Sequence, residues 1–316
     1  MRLFSIHITK LLVAVAACSF CLQLIGDKGL ESIPDSKFED WKDIFKGTIN
    51  ADAVVLGSSR ACANYDPSII EKQLGMSTFN LGFNAASYNF QREKYNWYLQ
   101  ENETPKVIIQ NIDLSHFKPS VEVPDPDQFI PFIDQDQVKM FLDKHREPVN
   151  ELESLPLLKY NTNIDFLLKG WLSFIGVKSA LFTSFNGFTP VDKQYVPDVH
   201  NLNRLKNNRD RVHNLNQDFY TAIEHYIKLS KKSTVILVWA PVYKDRRSLV
   251  TEKMALYKEG IIKAVNDNDD LLFLDYSNDG MAQETLYFYD SFHLNSNGAA
   301  LFSNMLGRDI KELIKS

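Results

Sequence analysis

The sequence predicts an α/β fold in which a parallel sheet is covered on both faces by helices. Three observations predict it. Short apolar runs, Ala53–Leu56 and Thr234–Trp239 above all, have the length and unbroken hydrophobicity of strands buried on both faces. Helical stretches alternate with these runs, the pattern of crossover connections in a parallel sheet. The composition is that of a globule: 316 residues, 44% hydrophobic and 24% charged, with 35 Lys plus Arg against 40 Asp plus Glu, for a net charge of −5. These values exclude wholesale disorder and collagen-like repeats, and the mild acidity argues against a nucleic-acid partner.

The first element is an apolar run at 11–25, preceded by Arg2 and Lys10 and followed by Asp27, Glu31 and Asp35. As a helix this run reaches about 22 Å, short of a ~30 Å hydrocarbon core. Adding residues 3–8 supplies the length, with Lys10 snorkelling to a boundary. The charge order fits an uncleaved signal anchor. The charged start and the small residues 14–17 also fit a cleaved signal peptide. Val15-Ala16-Ala17-Cys18 resembles a bacterial lipobox, and a buried core helix is the remaining reading. The three targeting readings place the rest of the chain outside the cytoplasm, in the periplasm or on the cell surface, with residues 1–26 as address or membrane tether. Cys18, Cys21 and Cys62 are the three cysteines, and two sit in this run, so no disulfide framework exists. Cys62 reads as a small buried residue.

Residues 27–50 are polar and read as a tether with a short helix near 38–45. The domain proper is expected over 51–316. Strand Ala53–Leu56 is followed by a helix at Pro67–Leu74 closed by Gly75, a strand at 78–81, a helix at 87–100, and a strand beginning at Val107 after Pro105. Residues 115–215 break the rhythm. They carry Pro119, Pro124, Pro126, Pro131, Pro148, Pro156, Pro190 and Pro197, with helices near 136–144 and 164–175 and no strand of core quality. A crossover needs only about 30 residues, so this stretch reads as an insertion. The alternation then resumes: helix 216–229, strand Thr234–Trp239, helix 249–265, strand 271–274, and helix 296–314 with Ser296 or Asn295 as N-cap.

In an open parallel sheet, ligands bind beyond the carboxyl ends of the strands. Gly57-Ser58-Ser59-Arg60 follows the first strand, Gly82 and Asn84 the second, and Gln110-Asn111-Ile112-Asp113 the third. Near the end of the chain stands Asp290-Ser291-Phe292-His293-Leu294-Asn295. A serine needs a neighbouring base to become a nucleophile, and a histidine supplies one at neutral pH. An acid three residues before that histidine reaches its Nδ1–H and fixes the tautomer. Ser59, His293 and Asp290 are therefore the candidate nucleophile, base and orienter. The N–H groups of Ser59 and Gly82 and the amide of Asn111 or Asn84 are candidate oxyanion donors. Arg60 is a candidate for an acidic substrate group or a structural pair, and Asn84 a further substrate contact.

These blocks resemble the SGNH/GDSL hydrolases. Gly57-Ser58-Ser59 matches the family's Gly-Asp-Ser block with Ser58 in place of the acid, Gly82 in Asn80-Leu81-Gly82 matches the second block, and Asp290 with His293 matches the last. The third block departs, because Gln110-Asn111-Ile112-Asp113 has no glycine. The resemblance covers about 52–114 and 216–314. It implies a flavodoxin-like three-layer α/β/α sandwich and serine esterase chemistry without metal or organic cofactor. Gly57-Ser58-Ser59-Arg60 and the membrane-proximal start are similar to membrane-tethered envelope proteins of this type. That implies an acylated glycan or small ester as substrate, hydrolysis or O-acyl transfer, and a membrane-bound O-acyltransferase as partner. A non-catalytic envelope polysaccharide assembly or binding protein on the same scaffold is the alternative, and an intracellular hydrolase would require the N-terminal run to be core.

Other residues carry weaker expectations. His116 reads as a turn residue or a second base. His200 and His213 with Arg204, Lys206, Arg209 and Arg211 form a basic cluster, either a solvated face or a seat for an anionic group. Asp267, Asp269 and Asp270 read as a polar turn. Trp97 and Trp239 read as core, and Trp171 as the best candidate for a sugar platform.

Overall fold

The computed structural model describes residues 2–117, 123–145, 155–177, 184–207 and 214–315. Of the residues named above, Pro119, Pro148, Arg209, Arg211 and His213 lie outside the described residues. The chain forms two compact units, one of residues 1–43 with 122–183, the other of residues 44–121 with 184–316.

The second unit contains the sheet. Its strands are β1 (Ala53–Leu56), β2 (Thr78–Asn80), β3 (Val107–Asn111), β4 (Thr234–Trp239) and β5 (Leu271–Asp275). They are all parallel and run in the order β2-β1-β3-β4-β5. This is the flavodoxin-like order, with the switch point between β1 and β3. β-Branched side chains dominate β1, β3 and β4 because these central strands are buried on both faces. Val55, Ile109, Ile236 and Val238 point to one face. There they pack with Ile70 and Leu74 of α4 (Pro67–Leu74) and with Phe302, Leu306 and Ile310 of α11 (Ser296–Leu313). Alternate residues point the other way. On that side Gln110 Nε2 donates to Gln91 Oε1 of α5 (Tyr88–Glu101) at 3.0 Å. α9 (Gln217–Ser230) packs on β4 and meets α10 (Lys244–Asn266) through Phe219 and Tyr257, ring centroids 5.6 Å apart.

Caps bound α4 and α11, at Gly75 and Asn295 as expected and at Asp66 beyond the expectation. Asp66 Oδ1 accepts from Ser68 N at 2.9 Å and starts α4, and Gly75 closes it at φ 71. Asn295 Oδ1 accepts from Gly298 N at 3.0 Å and starts α11. Two helices lack a matching expectation: α3 (Ser59–Asn64) and α8 (Val199–Asn207).

The first unit is helical. It holds α1 (Arg2–Glu31), most of α2 (Lys37–Lys46), a 3-10 segment at Pro126–Phe132, α6 (Asp136–His145) and α7 (Ile164–Phe174). Residues Leu3–Glu31 are long and apolar enough to cross a membrane. The last turns of α1 are built into the unit. A Cβ on Gly29 would lie 1.8 Å from Gly170 O, and one on Gly170 2.2 Å from Gly26 O, so only glycines let α1 and α7 approach this closely. Asp27 is buried beside them, its Oδ2 2.8 Å from Lys159 Nζ and its other oxygen accepting from the Tyr160 hydroxyl. Within the segment read as a tether, Phe38 and Trp41 are buried, and Trp41 Nε1 donates to Gln128 Oε1 at 3.0 Å.

Candidate active site

β1 ends at Leu56, and the next residue must turn without a side chain. A Cβ on Gly57 would stand 2.7 Å from Ala61 Cβ and 2.9 Å from Asn111 Cβ. Ser59 then opens α3, so its N–H belongs to a helix start, without an acceptor one turn back. Its Oγ lies 2.8 Å from His293 Nε2. His293 Nδ1 lies 2.9 Å from Asp290 Oδ2. The carboxylate fixes Nδ1 as the protonated nitrogen, which leaves Nε2 to accept from the Ser59 hydroxyl. Asp290 Oδ1 accepts from the N–H groups of Phe292 and His293, each at 2.7 Å. Burial raises the Asp290 carboxyl, but the bonds from His293 and from those two backbone groups outweigh it and hold the group below the usual carboxylate range.

Packing fixes the imidazole as well. The Tyr289 ring stacks on His293 at 5.3 Å and 3°, and Phe292 meets it edge-on at 5.1 Å. Leu294 N donates to Asn64 Oδ1 of α3 at 2.9 Å, which ties the histidine loop to the helix that carries Ser59.

Ser59, Asp290, Phe292 and His293 line one side of a cavity of about 1160 Å³. Ala85, Asp113 and Ser115 line it beyond β2 and β3, and Trp239, Val242 and Arg246 line it beyond β4. α8 and the residue before it, from the stretch read as an insertion, supply Asp198, Asn201, Arg204 and Leu205. Arg246 stacks on Phe292 at 4.1 Å and faces Asp198 at 3.7 Å. Of the basic cluster, Arg204 reaches this wall, while His200 and Lys206 are exposed on α8.

Three expectations need correction. Gly82 is not a free oxyanion donor: its N–H donates to Asn80 Oδ1 at 2.9 Å. Its glycine identity serves packing, since a Cβ would lie 2.8 Å from Ala61 Cβ. Asn111 is buried, its Oδ1 accepting from the Tyr65 hydroxyl at 2.9 Å and its Nδ2 turned to Asp113 at 3.5 Å, so its amide is structural. Of the two roles expected for Arg60, the structural one fits and the substrate contact does not. The side chain is fully buried, Nη2 donating to Pro241 O at 2.7 Å and the guanidinium 4.7 Å over Phe292. Asn84 stands exposed in the turn beside Ala85, and Ala85 forms the cavity wall.

Sequence reasoning missed Ala85 and Arg246. Ala85 adopts φ 58, in the left-handed region that alanine rarely occupies, and nothing in an alanine announces that role. Arg246 was reachable, because the strand-end rule applied to β4 points at the residues after Trp239. Trp97 and Trp239 are buried as read, and Trp171 sits in the first unit, its Nε1 donating to Leu22 O at 2.8 Å.

His116 is buried, bonded through Nε2 to the Tyr226 hydroxyl, and burial pushes its pKa down to about 4. The folded state therefore holds it neutral. An unfolded histidine titrates near 6.5, so as pH falls from about 6.5 toward 4 the unfolded chain takes the proton first. This contribution is complete above about pH 6.5 and falls by on the order of 3 kcal/mol by pH 4. The difference between wild type and His116→Gln in urea midpoint against pH isolates it. A flat difference over that window would refute the assignment.

No protein-family model and no curated protein matches the chain. Similar solved structures include a family two carbohydrate esterase from Clostridium thermocellum in complex with a cello-oligosaccharide, at 8% identity and TM-score 0.38 over 83% of this chain and 64% of that one. A Corynascus carbohydrate esterase family 2 enzyme with a carbohydrate binding domain is similar at 9% identity and TM-score 0.39, over 84% of this chain and 66% of that one. A Streptococcus pneumoniae protein provisionally described as a platelet activating factor is similar at 12% identity and TM-score 0.39, over 96% and 98%. The chain thus spans about two thirds of the length of these carbohydrate esterases.

Proposed function

We propose that the protein is a serine esterase or O-acyltransferase of the cell envelope, held at the membrane by α1 and acting on acyl esters of a glycan or related polymer. The observation that carries the reading is the continuous hydrogen-bonded line Ser59–His293–Asp290 at the wall of a large cavity. In this reading the Ser59 hydroxyl attacks an ester carbonyl while His293 Nε2 takes its proton. Asp290, ionised through the neutral range, stabilises the imidazolium. Ser59 and Ala85 line the same cavity, and in this reading their backbone N–H groups hold the oxyanion. His293 returns the proton to the leaving alcohol, and water or a sugar hydroxyl then resolves the acyl-enzyme. The motif resemblance and the apolar N-terminus support an extracytoplasmic glycan ester, with a membrane-bound O-acyltransferase as a candidate partner.

A second reading, a non-catalytic glycan-assembly or binding protein, draws on the commitment of Gly82 N–H and of the Asn111 side chain to other bonds. A fluorophosphonate probe separates the two. The full chain in detergent is expected to label, and Ser59→Ala and His293→Ala are expected not to. Absence of labelling in the wild type, or labelling that survives Ser59→Ala, favours the second reading.

A further inference from the structure

We infer that α7 is a membrane-interface helix, its free apolar stripe seated in the outer boundary of the lipid bilayer beside the point where α1 leaves it. This rests on α1 being a membrane span. Ile164, Leu168, Leu172 and Ile175 recur at helical spacing and stand 62%, 45%, 44% and 72% exposed. At 3.6 residues per turn they fall within about 80° of one another, bordered by Asp165 and Lys169. Phe174 and Val177 extend the exposed apolar surface at the end of the helix. The adjoining face of α7, Leu167, Gly170 and Trp171, packs on α1 at Leu22, Gly26 and Gly29.

That placement identifies the occupant. α1 exposes apolar side chains from Leu3 to Leu24. These 22 positions, at ~1.5 Å each, give about 33 Å, matching a ~30 Å hydrocarbon core. Leu22–Gly29, where α7 docks, is therefore the outer boundary. The stripe of α7 and the exposed apolar side chains Leu22 and Leu24 of α1 lie on helices packed together at this level. Trp171 occupies the depth at which indoles concentrate in membranes. An apolar stripe bounded by charged residues is the pattern of a helix lying in the interface plane.

The test uses the full chain, with Cys18 and Cys21 changed to Ser and Cys62 to Ala, in vesicles of phosphatidylethanolamine and phosphatidylglycerol. Single cysteines at Val13, Leu172, Ile175 and Leu286 each receive a nitroxide, and collision rates with oxygen and with a water-soluble nickel chelate are compared. All four positions are exposed, so the labels disturb no packing. Oxygen collisions are expected to dominate at 13, 172 and 175, and nickel collisions at 286. Nickel dominance at 172 and 175 with oxygen dominance at 13 overturns the inference and leaves the span standing. Exclusion of both reagents at 172 and 175 means that protein covers the stripe, which also overturns it. Nickel dominance at 13 removes the span itself.

Discussion

Ser59→Ala is expected to lower kcat/KM on a short-chain aryl ester by about 10⁴-fold or more while leaving the thermal midpoint within a few degrees of wild type. The hydroxyl removed faces a cavity and bonds to His293, so its loss creates no void in the sheet or helices. His293→Ala is expected to cost about as much, because the serine without its base is a weak nucleophile. The double variant is expected to be no worse than either single one, since groups acting as a unit lose their effect together. Asp290→Asn tests the third member. It keeps the shape but reverses the hydrogen-bond preference at Nδ1, and is expected to cost on the order of 10³- to 10⁴-fold. Full losses that multiply across the double variant would contradict a concerted line. Retained turnover in Ser59→Ala would remove the serine from the chemistry.

Arg60→Leu is expected to be among the most destabilising single changes, by about 3–5 kcal/mol, read as a drop in urea midpoint. Arg60 is fully buried and is the first counter-charge to the buried Asp113. Burial by itself raises the Asp113 carboxyl, but Arg60, Ser115 and His116 together hold it below the usual range. That carboxylate also accepts from Ser115 N at 2.7 Å and His116 N at 3.2 Å, so it shapes the turn after β3. Removing the arginine takes away the largest charge opposing the burial of this anion. Adding Asp113→Asn to Arg60→Leu is expected to restore part of the loss, because the pair is coupled. A substrate-binding arginine would behave differently, raising KM with the midpoint unchanged.

The strands were legible because burial on both faces demands contiguous apolar side chains, and Ala53–Leu56 and Thr234–Trp239 appear at their observed bounds. α10 starts at Lys244, five residues before the expected position, because its first turn is polar and shows no helical periodicity. α3 was invisible for a different reason. Six residues with no side-chain cap carry little helical signal, and tertiary bonds such as Asn64 to Leu294 hold it. Ser59, His293 and Asp290 were legible because their side-chain chemistry is distinctive and their places follow the strand ends. Backbone donors are shared by every residue type, so the proposed donor Ala85 left no trace, and Gly82 was named for a glycine that serves packing. Arg60 was left open between a substrate contact and a structural pair because nothing in Ser59-Arg60 tells that the second side chain turns inward under Phe292.

The pairing of Lys159 with Asp27 joins groups 132 positions apart. A ribosome adds roughly 5–20 residues per second, so α1 emerges roughly 7–25 seconds before the lysine that neutralises its acid and the helix that meets its glycines. Throughout that interval Asp27 has neither Lys159 nor Tyr160, and the backbone groove at Gly26 and Gly29 stands open. Biogenesis therefore has a waiting period in which the N-terminal helix is complete but unclasped, and its end is timed by the arrival of residues 159–170.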